Sequence, residues 1–479
     1  MSEELLQALR GIVGNERCLS SEAELFAYEC DGLTVHSGRP TAVVMPDSRQ
    51  QVQAVVRACR RAGLPFVPRG AGTGLSGGAT AFESAVVIEC SRMNRILELY
   101  PEDRYAVVEP GVVNLELSKA AAPHGLFYAP DPSSQLVCTI GGNVAENSGG
   151  PHTLKYGTTT NHVLAVEVVL PDGECVVLGG AAGFEPGYDL CGAFVGSEGT
   201  LGVMTRAWVR LTPLPERVET LLAVFSDVVS ACRAVGRIVE SGLVPAALEI
   251  CDQRTIQAVE ASAYAAGLPT DAGAVLIVEL DGAAPALAPQ VEAVREIAAA
   301  EGARSVELAR DEAERQRFWK ARKGAFGAMG RLAPDLYVHD AVVPRQHLPE
   351  VIAKVCAICD AHGLRLANVF HAGDGNLHPN ICFDRRDEDE LARVMAAGEE
   401  ILRTCVEAGG VITGEHGIGS EKKEYLHLVF RDVDLDPMLH LRAVFDPDRV
   451  CNPGKIFPTT RFCAESNPKA RGYERVPFA

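Results

Sequence analysis

Apolar positions in the first half of the chain change period every few residues, so short strands and helices are expected to alternate. "RPTAVVMP" (39–46) is a β-branched run closed by Pro46. "SRQQVQAVVRACRRAG" (48–63) repeats apolar residues at helical spacing, and "LPFVPRG" (64–70) returns to extended chain. "SAVVIE" (84–89), "YAVVEPG" (105–111) and "VLAVEVVLPDGECVVL" (163–178) predict further strands, the last a hairpin turning at Pro171-Asp172-Gly173. The prolines of "WVRLTPLPE" (208–216) mark a boundary. Beyond it, "LLAVFSDVVSACRAVGRIVESG" (221–242) and "GAVLIVELDG" (273–282) predict an α+β unit whose antiparallel sheet lies under helices. Four stretches result: a helical lead-in (1–37), a mixed unit (38–216), a second α+β unit (217–420) and a C-terminal segment (421–479).

With 479 residues the chain is too long for one core, which agrees with this division. A formal charge of −18 argues against a general nucleic-acid surface, while a small anion fits if positive charge is gathered in a pocket. No basic stretch leads into an apolar run at the N-terminus, and no apolar span reaches membrane length. The expected location is cytoplasmic, with peripheral attachment at the inner membrane through partner subunits. Fifteen irregularly spaced cysteines do not form a disulfide framework. Cys356 and Cys359 share a predicted helix and read as buried core thiols, and no run of cysteines offers an iron–sulfur site.

Glycine changes the picture. "PRGAGTGLSGGA" (68–79) exposes many backbone N–H groups and lets the chain wrap an anion such as a pyrophosphate. Similar composition recurs in "TIGGNVAENSGG" (139–150) and "VGSEGTLG" (195–202), which suggests a large phosphate-bearing cofactor. No GK[ST] follows, and no clear βαβ dinucleotide fingerprint is present. The second half holds "FHAGDGNLHPN" (370–380) and "TGEHGIG" (413–419). Two imidazoles and a carboxylate are a sufficient donor set for a divalent ion. Read alone, these histidines favour a structural or catalytic role over metal ligation, and the carboxylate of a metal site would be either Asp374 or Glu415.

Together with "YAPDPSSQ" (128–135) and "NPGKIFP" (452–458), these segments resemble the FAD-linked oxidase family of the vanillyl-alcohol oxidase superfamily. The likeness is strongest to its branch around the glycolate oxidase D subunit, with D-lactate and D-2-hydroxyglutarate dehydrogenases as relatives. It implies an α+β fold: a two-subdomain FAD-binding domain (38–216), an α+β substrate or cap domain (217–420), and a C-terminal return to the FAD domain. Pro68, Arg69, Gly70, Ala71, Gly72, Thr73, Gly74, Leu75, Ser76, Gly77 and Gly78 are implied around the pyrophosphate. Pro130, Asp131, Ser133, Ser134, Gly141, Gly142, Asn143, Asn147, Ser148 and Gly149 are implied along the flavin. Gly196, Glu198 and Gly199 would complete the cleft, with Asn452 and Lys455 near the isoalloxazine and FAD held noncovalently.

The resemblance further implies His371, His378 and Glu415 as ligands of zinc or manganese, which leaves Asp374 as a loop-shaping residue. His416 is implied as the base, with Arg322 and Asn380 on the substrate. An α-hydroxy acid would chelate the ion, lose its hydroxyl proton to His416 and pass hydride to the flavin. Relatives that oxidise hydroxyglutarate carry threonine and lysine at or near Phe326 and Val338, so glycolate or D-lactate is the expected substrate. D-2-hydroxyglutarate oxidation and a noncatalytic flavin-binding subunit are the alternatives. A second flavin-type subunit and an iron–sulfur subunit leading to quinone are the implied partners.

Overall fold

The computed structural model describes residues 2–81, 84–183 and 186–458. Three larger sheets organise the described residues, beside one two-stranded pair of Leu126–Phe127 with Thr212–Pro213. The first has the parallel strands Ala42–Val44, Val86–Glu89 and Phe66–Arg69, with Cys18–Leu19 added antiparallel at one edge. Helix Arg49–Arg61 buries Val52, Val55, Val56 and Cys59, the i, i+3, i+4, i+7 stripe of its sequence, in the core of this sheet. The opening residues are more than a helical lead-in. Helix Glu3–Val13 puts Leu5, Leu9 and Val13 into the same core, and the following chain supplies the edge strand.

A five-stranded antiparallel sheet follows in the order Ile96–Tyr100, Tyr105–Val108, Val203–Arg210, Val163–Val169, Cys175–Gly179. Its last two strands form the expected hairpin. The third sheet is the largest and wholly antiparallel. Arg217–Phe225, Ala274–Gly282, Ala247–Asp252 and Arg365–His371 are its central strands. Their long apolar runs read as buried strands because helices cover both faces. One such helix, Val228–Glu240, starts where the Asp227 side chain accepts the Ser230 N–H at 2.8 Å, and buries Ala231, Val235 and Ile238. Cys359 is buried in helix Leu348–Ala361, and Cys356 is half-buried against the same core.

The end of the chain divides its contacts. Leu426, Leu435 and Phe457 join the core of the large sheet, whereas Cys451 bridges to Phe66 of the first. Residues 459–479 of the expected C-terminal segment lie outside the described residues. Among the described residues, no helix is long and apolar enough to cross a membrane.

Candidate active site and metal centre

A cleft opens between the first two sheets and ends on the third. Pro68–Leu75 and Gly78 line it, with Ser133, Ser134, Gly141, Gly142, Asn143, Ser148, Glu198 and Gly199. The walls cannot carry side chains at several points. A Cβ on Gly70 would lie 2.5 Å from Thr139 Oγ1, and one on Gly141 would lie 2.8 Å from Pro110. That close approach is what a cradle for an extended phosphate-bearing group requires. At its inner end the cleft meets Arg322, Lys323, Phe326, His378, Glu415 and His416 from the large-sheet unit.

Other residues expected on the cofactor stand behind this wall. Lys455 is fully buried and donates to the Gly77 and Thr80 carbonyls at 2.6 and 2.7 Å. Asn452 donates to the Gly78 and Glu198 carbonyls. Both therefore brace the glycine loop. Ser76 packs beside Glu146, and Arg69, though in the wall, spends its guanidinium on the carbonyls of Ala79 and Cys30. The Pro130 carbonyl accepts from Asn114, Asp131 accepts from His152, and Asn147 closes helix Ile140–Glu146 in the left-handed region. Gly196 ties its N–H to Val144. Gly149 does not line the cleft, and its missing side chain makes room for Glu415, whose Oε2 lies 2.8 Å from where a Cβ would be.

The two histidines of the sequence motif come together because strand Arg365–His371 turns straight back. His371 pairs with Asn376 across the turn, and Asp374 caps it by accepting the Asn376 N–H. Gly375 has φ +83°, and a Cβ there would sit 2.2 Å from the Val343 carbonyl oxygen. The His371 and His378 rings end 5.1 Å apart at 85°. Both aim Nε2 at Glu415 Oε1, at 3.2 and 3.3 Å. Ligand atoms held at about 2.1 Å from one ion stand about 3.0–3.4 Å apart, so this spacing fits a divalent cation.

Each imidazole is set from behind. His371 Nδ1 donates to Glu249 Oε1 at 2.8 Å, and His378 Nδ1 donates to the His339 carbonyl at 3.2 Å. These bonds fix the tautomer that leaves Nε2 free. Burial works to lower the His371 pKa, but the Glu249 and Glu415 carboxylates outweigh it and raise it well above its usual value. Such a field favours positive charge at this point.

His416 stacks on His378 at 4.9 Å and 7°, with Nε2 4.0 Å from Glu415 Oε1. It is beyond ligand spacing from that oxygen, and its buried Nδ1 has no hydrogen-bond partner among the described residues. Burial pushes its pKa down to about 4, so the ring is neutral near pH 7. Asp340, His378, Glu415 and His416 also place one ligand atom each within 4.8 Å of one another. Asp340, however, is engaged by the N–H groups of Gly414, Glu415 and His416 and by the Thr413 hydroxyl. All four bonds fall on Oδ2 and hold the loop, while Oδ1 takes the Glu415 N–H at 3.4 Å and lies 3.7 Å from His378 Nδ1.

Arg322 is buried at the cleft end, where its Nε donates to Glu249 Oε2 at 2.5 Å. Asn380 is not brought to the cleft wall. Its Nδ2 donates to the Ala367 and His378 carbonyls, so it supports the strand that presents His378. Val338 pairs with Asn380 in the neighbouring strand and likewise stands off the wall, which Phe326 reaches. Sequence reasoning missed Glu249, Asp340 and Glu146. A lone carboxylate inside the apolar run "AALEIC" was the available signal for Glu249, since such a charge must find partners when buried.

Comparisons with known proteins bear on the family and the fold. Residues 40–179 match the model of the FAD binding domain, and residues 214–456 match the C-terminal domain of FAD linked oxidases. Glycolate oxidase subunit GlcD of Escherichia coli (strain K12) is 47% identical over 474 residues, covering 99% of this chain and 95% of that one. The Bacillus subtilis protein of the same name is 40% identical, covering 95% and 96%. A probable mitochondrial D-lactate dehydrogenase of Danio rerio is 33% identical, covering 96% and 93%. The fold is shared with 4-ethylphenol oxidase from Gulosibacter chungangensis (21% identity, TM-score 0.79, 96% and 99% covered) and with p-cresol methylhydroxylase (17%, 0.79, 95% and 97%). A cleft shaped for a large cofactor, closed by a cluster of histidines and carboxylates, thus lies within matched FAD-binding and oxidase domains: the chain belongs to the FAD-linked oxidase family.

Proposed function

We propose that the protein oxidises a short 2-hydroxy acid, glycolate or D-lactate, to the 2-oxo acid. The observation that carries this reading is the convergence of His371 and His378 Nε2 on Glu415 Oε1, with neutral His416 and buried Arg322 beside them at the cleft end. Bound noncovalently in the cleft, FAD supplies the hydride acceptor, and a zinc or manganese ion on His371, His378 and Glu415 supplies Lewis acidity. His416 takes the hydroxyl proton, since a neutral imidazole is the form able to accept it. Arg322 is pinned by Glu249 along one edge, which orients its guanidinium for the substrate carboxylate. Cys90 and Cys138 also line the cleft, but burial raises both thiols, which suits a noncovalent cofactor.

Substrate size follows from the wall. Phe326 lines the cleft end and offers no polar group to the second carboxylate of a longer diacid, which would have to reach Lys323 instead. GlcD relatives are named as subunits, so we further propose a cytoplasmic chain held at the membrane by a second flavin-type subunit and an iron–sulfur subunit that pass electrons to quinone. A noncatalytic flavin-binding subunit would have no chemical use for this set of imidazoles. The test is anaerobic reduction of the bound flavin by glycolate, D-lactate and D-2-hydroxyglutarate. Bleaching by the first two supports the reading, and a strong preference for D-2-hydroxyglutarate would overturn the use made of Phe326.

A further inference from the structure

The loop Thr413–Gly419 carries Glu415 and His416, yet it has little regular structure of its own. Two carboxylates hold its backbone from opposite sides. Asp340, from the large-sheet unit, takes the N–H groups of Gly414, Glu415 and His416. Glu198, from the FAD-binding unit, takes those of Ile418 and Gly419, both at 2.7 Å. The loop is thereby stretched between the two halves of the molecule.

Glu198 is held in place at some conformational cost. Its φ is +51°, the left-handed region that a side chain enters reluctantly, although Gly196 and Gly199 stand on either side of it. Its own N–H donates to the Ala145 carbonyl at 2.8 Å, and its carbonyl accepts from Asn452 at 2.7 Å. Beside it is Glu146, the residue after Ala145. Gly417 shows how close the loop comes to both, for a Cβ there would lie 2.4 Å from Glu146 Oε2 and 2.9 Å from Glu198 Oε1. Ser76, Asp31, Lys422 and Lys455 are the other polar groups that face this pair. Burial and the neighbouring Glu198 charge raise Glu146 well above the usual carboxylate range, and burial raises Glu198 to about 7. Of the two carboxyls, Glu198 is the one that the Ile418 and Gly419 N–H groups engage.

We propose that Glu198 is a positioning residue for the reaction: it latches the loop bearing Glu415 and His416 onto the FAD-binding unit. This deepens the reading of the site as a 2-hydroxy acid oxidase and rests on it for the role of His416. The latch explains why a glutamate occupies a turn where glycine would be cheaper. It also makes the distance between base and cofactor cleft depend on a contact between units.

The test uses FAD-loaded Glu198→Gln, because an amide cannot accept from two converging N–H groups without turning its own NH2 toward one of them. Hydrogen exchange of the peptide covering Gly417–Ser420 is expected to quicken about tenfold, while strand Ala274–Gly282 keeps its protection. The limiting rate of flavin reduction is expected to fall about tenfold with substrate Kd changed less than about twofold, the split expected of a displaced base. Unchanged exchange at Gly417–Ser420 overturns the latch, as does an unchanged reduction rate. Should the variant not accumulate, the wild-type holoenzyme decides, since exchange of the same peptide at the rate of an unprotected loop also overturns it. A wild-type flavin that no 2-hydroxy acid reduces sinks the proposed function instead, and the exchange arm still judges the latch.

Discussion

His371 Nδ1 donates a hydrogen bond to Glu249 Oε1 at 2.8 Å, and the other Glu249 oxygen accepts from Arg322 Nε at 2.5 Å. One buried carboxylate thus orients both an implied metal ligand and the implied substrate arginine. Glu249→Gln keeps the shape and removes the charge. Metal affinity is expected to weaken about 10–100-fold, the usual cost of losing such a support. Titrating metal back into stripped protein measures it, with the flavin spectrum as a check that the cleft is intact. Wild-type affinity would show that Glu249 does not serve the centre.

His416→Ala is expected to retain FAD and lose flavin reduction by about 10²–10⁴-fold, the range for a missing general base. Anaerobic stopped-flow absorbance reports both the bound flavin and its reduction. Normal reduction in this variant refutes the base assignment.

His152 joins the units by facing Asp131 at 2.7 Å and Glu279 at 3.1 Å. Burial works to lower its pKa, but the two carboxylates raise it from 6.5 to about 10. A raised histidine binds its proton more tightly in the folded state. Its stabilisation is therefore full below about pH 6.5 and disappears as pH climbs through about 10. Thermal melts across that window should show Tm declining in the wild type and declining less in His152→Gln. Parallel curves would place the pH dependence elsewhere.

Gly375→Ala places a methyl against the Val343 carbonyl at a positive φ. A destabilisation of about 2 kcal/mol is expected, together with loss of metal binding as the hairpin that brings His378 back beside His371 opens. Denaturant unfolding and metal content check the two effects. A variant with both unchanged would mean that the turn tolerates a side chain.

The glycine loops and the paired histidines were legible because each is a local feature. A backbone that must approach a ligand needs glycine in the sequence itself, and His371 and His378 share one hairpin. Their supports were hidden. Glu249 reaches His371 from 122 residues away through strand pairing, and Glu198 meets the Thr413–Gly419 loop over a gap of 220 residues. Conversely, Asn380, Asn452 and Lys455 carry the right chemistry for a site yet face backbone carbonyls. Residue type alone could not tell a wall from its scaffold.

The sequence by itself determined which segments are strands and helices, where the chain can wrap closely, and which side chains are available as donors. Periodicity, glycine content and residue chemistry are properties of short stretches. Only the tertiary structure decided which carboxylates orient the imidazoles, which nitrogen of each ring points inward, and that the loop carrying Glu415 and His416 is strung between two units. Those outcomes depend on sheet register and on buried charges finding partners, and both are settled only when distant segments pack.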